Sequence, residues 1–118
     1  MVGQGIWLRA PVVGAGYALL ALLCLSFSRF DGSTESIWSN ALLVAALLVV
    51  PRGRWAVVIA CAAVGHVGAH LLVGDALDFT LAYLVGDMSE SAIVAALSAA
   101  ARAGDAGKGF AVVANEVR

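Results

Sequence analysis

Charged residues are scarce in this chain of 118 residues. Only 13% are Asp, Glu, Lys or Arg, about half the share usual in soluble domains. The net charge of −1 excludes a strongly basic nucleic-acid-binding protein. The only two cysteines, Cys24 and Cys61, lie in apolar runs without metal-ligand spacing, so we predict neither a disulfide nor a cysteine-bound metal. No nucleophile triad and no complete phosphate-binding loop occurs, so we predict that the protein is not an enzyme and has no cofactor.

Apolar residues, in contrast, make up 62% of the chain. A domain of this size buries too little of its surface to hide so many apolar side chains from water. The sequence therefore predicts an all-α integral membrane bundle of about four transmembrane helices, with the lipid bilayer as its main partner. The predicted helices cover residues 10–28, 37–50, 55–74 and 77–101, and a glycine-rich turn near 103–109 predicts a short cytoplasmic helical hairpin as the tail.

The basic residues indicate an orientation. If the tight turn holding Arg52 and Arg54 is cytoplasmic, four crossings place both chain termini in the cytoplasm, and Arg29 alone lies outside. This is the positive-inside pattern of membrane proteins. The cytoplasmic basic residues would then be Arg9, Arg52, Arg54, Arg102, Lys108 and Arg118.

Ionisable side chains within the apolar helices are candidate functional groups, because a charge inside the bilayer is costly. Asp87 and Glu90 are three residues apart on the fourth helix, and Asn40 and His66 lie on the second and third. We predict that these four form an intramembrane pocket that senses protons or a ligand. Two alternatives are open: interhelical hydrogen bonds with both carboxyls protonated, or a fourth segment lying partly outside the membrane.

His66 and His70 are four residues apart and therefore share one helix face. Two histidines at this spacing are weak candidates for a metal or haem site, for which Asp87 and Glu90 could supply further ligands. These four residues suggest one alternative function, that of a small transporter or a haem- or metal-binding membrane subunit.

Residues 36–96 resemble the first half of the membrane-associated sensor domain of the MASE type, first class. The resemblance is carried by Ser36–Ile37–Trp38, Asn40–Ala41, Pro51–Arg52–Gly53–Arg54–Trp55, Gly65, Gly74–Asp75 and the helix with Glu90. That family precedes kinase, cyclic-dinucleotide synthase and other signalling domains in bacterial inner membranes. The resemblance implies a transmembrane sensor domain over residues 1–99. His66 stands where the family often has asparagine.

Residues 100–118, AARAGDAGKGFAVVANEVR, resemble the hairpin tip of methyl-accepting chemotaxis transducers. In that family the tip binds the chemotaxis histidine kinase and its coupling protein, and the receptors are dimers. The resemblance implies that residues 100–118 are an incomplete tip segment and that a homodimer is formed. The residues matching the tip pattern are Arg102, Asp105, Phe110, Val112, Val113, Glu116 and Arg118.

The family's long coiled coil and methylated glutamates have no counterpart in this sequence, which indicates a truncated or fused gene product. Our leading hypothesis is membrane-bound signal transduction, with the chain a sensor or transducer fragment related to chemotaxis receptors. The runner-up is a non-signalling membrane remnant whose helices only pack together. The sequence names no stimulus.

Overall fold

The protein is described by a computed structural model that covers residues 4–31 and 37–117. Four α-helices account for nearly all of this part of the chain, and no strand occurs in it. They are α1 (Gln4–Asp31), α2 (Ile37–Val49), α3 (Trp55–Leu72) and α4 (Leu77–Glu116), with a short 3₁₀ helix at Arg52–Arg54. The all-α prediction is confirmed. Ser36 and Arg118 lie outside the described residues.

The helices run alternately up and down. Tyr17 of α1 contacts Asn40 of α2, while Gly14 of α1 lies against Cys61 of α3 and Tyr17 against His66. From the first of these α1–α3 contacts to the second, the residue number increases in both helices, so α1 and α3 are parallel. Consequently the turn at Pro51, the start of α1 and the far end of α4 share one end of the bundle, called here the tail end. The α3–α4 loop lies at the opposite end, called the loop end.

Within residues 4–31 and 37–117, three helical segments are long and apolar enough to cross a membrane: Arg9–Phe27, Arg52–Leu72 and Leu77–Glu116. Helix α2 has 13 residues and spans about 20 Å at 1.5 Å per residue, less than the roughly 30 Å of a bilayer core. The structure therefore gives three candidate spans where the sequence predicted four. Pro51 ends α2, because a proline disfavours the helical conformation of the residue before it.

Helices α1 and α3 form the closest pair, because glycines face each other where they cross. A Cβ atom at Gly14 would lie 2.6 Å from the carbonyl oxygen of Cys61, and one at Gly65 would collide with the carbonyl oxygen of Gly14. Small residues of this kind let helix backbones approach. The buried apolar core, to which all four helices contribute, includes Tyr17, Leu43, Leu47, Val58, Ala62, Ala69 and Ala95.

Helix α3 ends in a Schellman motif, the common helix stop with a left-handed residue. Gly74 has a φ of +87°, and its N–H donates to the carbonyl of Leu71. The N–H of Asp75 donates to the carbonyl of His70 at 3.0 Å. Glycine adopts this conformation without a Cβ penalty. The motif folds the chain back so that Asp75 lies above His70.

The predicted hairpin at 103–109 is wrong, because α4 continues without interruption through Gly104, Gly107 and Gly109 to Glu116. Every residue from Ala101 to Val117 is exposed, so no tertiary contact would offset the loss of helical hydrogen bonds in a turn. The alanines of this segment also favour the helix. The predicted domain boundary at residue 100 falls inside α4, and residues 101–117 form a single projecting helix, called here the tail.

Candidate functional site

The bundle core holds an unusual number of polar side chains. Five polar residues are buried to 2% exposure or less, and Tyr17 is fully buried with them. Buried polar groups need hydrogen-bond partners to offset the loss of water. The five are Ser39, His66, His70, Thr80 and Ser91.

One chain of hydrogen bonds links three helices. The hydroxyl of Tyr17 donates to Oδ1 of Asn40 at 2.8 Å, and Nδ2 of Asn40 donates to Oδ1 of Asp87 at 3.3 Å. An asparagine amide can do both because it carries a donor and an acceptor. Asn40 therefore joins α1 to α4 and fixes one oxygen of the Asp87 carboxyl.

The second oxygen of Asp87 faces His66. Oδ2 of Asp87 lies 3.4 Å from Nδ1 of His66, and the two side chains are 13% and 0% exposed. The pair lacks hydrogen-bond alignment: among the described residues neither ring nitrogen of His66 nor this oxygen has a hydrogen-bond partner. An incompletely satisfied pair at this depth is sensitive to protonation, since a proton on either member changes both its charge and its bonding.

His70 continues the polar chain toward the loop end. Its ring centroid is 4.3 Å from that of His66, and its Nδ1 lies 2.7 Å from Oδ2 of Asp75. Nε2 of His70 is buried and has no hydrogen-bond partner in the described chain. Phe79 and Tyr83 lie next to each other on one side of the ring, with centroids 6.2 and 6.3 Å from it. The carboxyl of Asp75 is 23% exposed, so this end of the polar chain reaches the surface.

The polar site thus consists of Tyr17, Asn40, His66, His70, Asp75 and Asp87, and is called here the polar relay. The structure brings together three of the four predicted sensing residues, Asn40, His66 and Asp87. It does not bring in Glu90, whose side chain is exposed. Glu90 is rotated about 60° from Asp87, away from the buried stripe through Thr80 and Ser91.

The weak metal candidates His66 and His70 lie side by side, as their spacing predicted. Among the described residues, however, no group of three or more His, Cys, Asp or Glu side chains is arranged to hold a metal ion. Asp87 approaches the ring of His66 and Asp75 approaches the ring of His70. The donor set gives a metal or haem site no support.

The six predicted partner-binding residues within the described chain, all on the tail, are exposed. Phe110, Val112 and Val113 expose 77%, 61% and 60% of their surface. At 100° per residue the six span about 160° of the helix circumference, a single side of the tail. They are Arg102, Asp105, Phe110, Val112, Val113 and Glu116, whereas Arg118 lies outside the described residues.

Sequence reasoning missed two members of the polar relay, Tyr17 and Asp75, and also the buried Ser91. Tyr17 stands alone in an apolar run, and its hydroxyl was the signal that a buried partner was needed. Asp75 follows Gly74, so the Schellman turn that places it over His70 could have been read from the glycine. Ser91 is four residues after Asp87 and shares its face, yet its hydroxyl has no hydrogen-bond partner among the described residues.

Comparison of the chain with protein-family models, with curated proteins and with solved structures gave no match.

Proposed function

We propose that this chain is a membrane-embedded sensor of bacterial signal transduction, in which the charge of the His66–Asp87 pair sets the position of α4 and the tail is the output. One observation carries the proposal: the same uninterrupted helix holds Asp87 in the polar core and extends to Glu116. A change at Asp87 has a rigid path to the tail, because a helix transmits rotation and translation along its axis.

The membrane setting follows from composition and charge. The tail end carries Arg9, Arg52, Arg54, Arg102 and Lys108, whereas the loop end carries Asp75, Asp78 and a single basic residue, Arg29. By the positive-inside rule the tail end is cytoplasmic, which makes the protein a multi-pass protein of the bacterial inner membrane with the tail in the cytoplasm. Asp87 lies ten residues into α4, about 15 Å from its start, and is therefore near mid-depth.

Protonation has a direct effect on packing in this proposal. With Asp87 ionised, its carboxylate attracts the Nδ1–H of the neutral His66 ring and accepts from Asn40. A proton on Asp87 removes the attraction between α3 and α4, and it leaves the hydrogen bond that Asp87 accepts from the Asn40 side chain of α2. Charge interactions are strong at low dielectric, so the balance between the two contacts of α4 changes.

The side of the tail that carries the six matching residues is the proposed binding surface for a signalling partner. The resemblance to transducer tips suggests the chemotaxis histidine kinase and its coupling protein, which would meet a single helix face here instead of a hairpin. A pull-down with both proteins tests this: Phe110→Ala should abolish binding. Asn115→Ala is the matched control, since Asn115 is also exposed but lies on the opposite side of the helix, outside the matching residues. Equal binding by both variants and the parent chain would remove this partner.

The coupling of core to tail is tested by measuring the distance between spin labels in the reconstituted chain. Labels at Gly53→Cys and Asn115→Cys, in a background with Cys24 and Cys61 replaced by alanine, report the tail relative to the bundle. Both label positions are exposed. Lowering the pH should shift the distance distribution of the parent chain.

The decisive variant is Asp87→Asn, which imitates the protonated carboxyl and should give the low-pH distribution at every pH. Glu90→Gln is the matched control, because Glu90 is an exposed carboxyl on the same helix and should leave the response intact. If Asp87→Asn responds as the parent chain does, the polar core does not control the tail. The protein is then better described as a membrane bundle whose polar groups only join helices.

A further inference from the structure

We propose that protons reach the His66–Asp87 pair from the loop end alone, through Asp75 and His70. This inference rests on the proposed function and names the route and the side from which the stimulus arrives. Intramembrane chains of carboxyl and imidazole groups are the usual construction of proton paths. In the polar relay the surface step is a short hydrogen bond, and the inner groups lie next to one another in sequence along the path.

The surface step is the contact between Asp75 and His70. Asp75 is the one member of the polar relay at the loop end with substantial exposure, 23%, and its Oδ2 lies 2.7 Å from Nδ1 of His70. A protonated Asp75 carboxyl gives its proton to Nδ1, which leaves a carboxylate and an imidazolium. The Schellman turn at Gly74 holds this contact, since the backbone N–H of Asp75 is bonded to the carbonyl of His70.

The inner step passes between the two histidines. Their ring centroids are 4.3 Å apart, and Nε2 of each ring is buried without a hydrogen-bond partner in the described chain. The two nitrogens are therefore not bonded to each other, and the transfer requires one ring to rotate. The His70 imidazolium releases its Nε2 proton to the neutral ring of His66, which returns His70 to the neutral form. The His66 imidazolium then gives its Nδ1 proton to Oδ2 of Asp87, 3.4 Å away, which leaves a neutral ring and a carboxylic acid. Each transfer moves one proton and no electrons.

The groups facing the pair leave few other routes. Three side chains face the His66–Asp87 pair: Tyr17 from α1, the uncharged Asn40 from α2 and His70 from α3. His70 in turn is faced by the Asp75 carboxyl and by Tyr83 of α4. Toward the tail end the buried polar side chains of the described residues stop at Ser91. The buried residues beyond it are apolar, and they include Leu43, Leu47, Val58 and Ala95. Access from the cytoplasmic side is therefore closed by side chains that cannot carry a proton.

The test follows the protonation of Asp87 in time after a pH jump, with the full chain in lipid nanodiscs. The infrared carboxyl band of Asp87 is assigned by its loss in Asp87→Asn. Asp75→Asn and His70→Gln should each slow the appearance of this band by about tenfold or more, the effect of about 1.4 kcal/mol added to the transfer barrier. The final extent of protonation should stay unchanged.

Asp78→Asn is the matched control, because Asp78 is an exposed carboxyl at the same end whose Oδ1 only accepts from the N–H of Phe79. Its rate should equal that of the parent chain. Unchanged rates in both Asp75→Asn and His70→Gln would overturn the route while the sensor proposal stands. A parent chain whose Asp87 band never changes with pH would instead overturn the sensor proposal itself. Asp75→Asn keeps the test valid if His70→Gln loses its fold.

Discussion

Replacing Gly65 by alanine should destabilise the bundle, whereas the same change at Gly68 should not. The added Cβ at Gly65 would collide with the carbonyl oxygen of Gly14, and backbone atoms cannot move aside by changing rotamer. The corresponding contact on α1 indicates how severe the overlap is, because a Cβ at Gly14 would lie 2.6 Å from the carbonyl oxygen of Cys61. An ordinary contact begins near 3.4 Å, so the helices would have to separate by about 0.8 Å, enough to forfeit a quarter to a half of each local dispersion contact.

Overpacking of this kind costs about 1–3 kcal/mol. The exchange of glycine for alanine inside a helix returns about 1 kcal/mol, which the control also gains. Gly68 is on the same helix, is exposed, and a Cβ added there would meet no atom within 4 Å, so the difference between the two variants isolates the collision.

Reversible unfolding in mixed detergent micelles measures the difference directly. The account predicts that Gly65→Ala is less stable than Gly68→Ala by about 1–3 kcal/mol, which corresponds to a change of roughly five- to more than a hundredfold in the unfolding equilibrium. If Gly65→Ala equals or exceeds Gly68→Ala in stability, the close crossing of α1 and α3 is incorrect.

Two further predictions use the same unfolding measurement. Tyr17→Phe should lower stability by about 0.5–1.5 kcal/mol, because it removes the 2.8 Å bond to Asn40 within the buried core, and an unchanged stability would contradict that bond. Gly74→Ala should cost about 1–2 kcal/mol, because alanine is strained at a φ of +87°. Gly53→Ala is its control, since Gly53 has no positive φ and open space around it, and equal losses in both variants would contradict the Schellman turn.

Much of the fold could be predicted from the sequence, because apolar runs and their terminators are local signals. Pro51 marks the end of α2 and the predicted start of α4 at Leu77 is confirmed. The far end of α4 was wrong, because three glycines between 104 and 109 suggested a turn. In an exposed alanine-rich segment a glycine costs only about 1 kcal/mol, so it does not by itself end a helix.

The sequence identified several residues of the polar relay but not all of the contacts between them. Asn40, His66 and Asp87 were identified because polar groups in apolar helices need partners, and the structure brings them together. Glu90 lies apart from this group, because residues three apart on a helix point about 60° away from each other and the buried stripe lies on the other side of Asp87. The pairing of His70 with Asp75 depends on the turn at Gly74, which a search for helical periodicity overlooks.

The central claim is that α4 crosses the bilayer with Asp87 near mid-depth and the tail in water. Labelling of single cysteines by a membrane-impermeant thiol reagent tests it most directly, with cysteine placed at Asp78, Val85 or Lys108 in the background without Cys24 and Cys61. All three positions are exposed on the helix, so burial within the bundle does not limit the reaction. The account predicts that positions 78 and 108 react from opposite sides of the membrane and that position 85 does not react. Reaction of positions 78 and 108 from the same side, or free reaction at position 85, would contradict it.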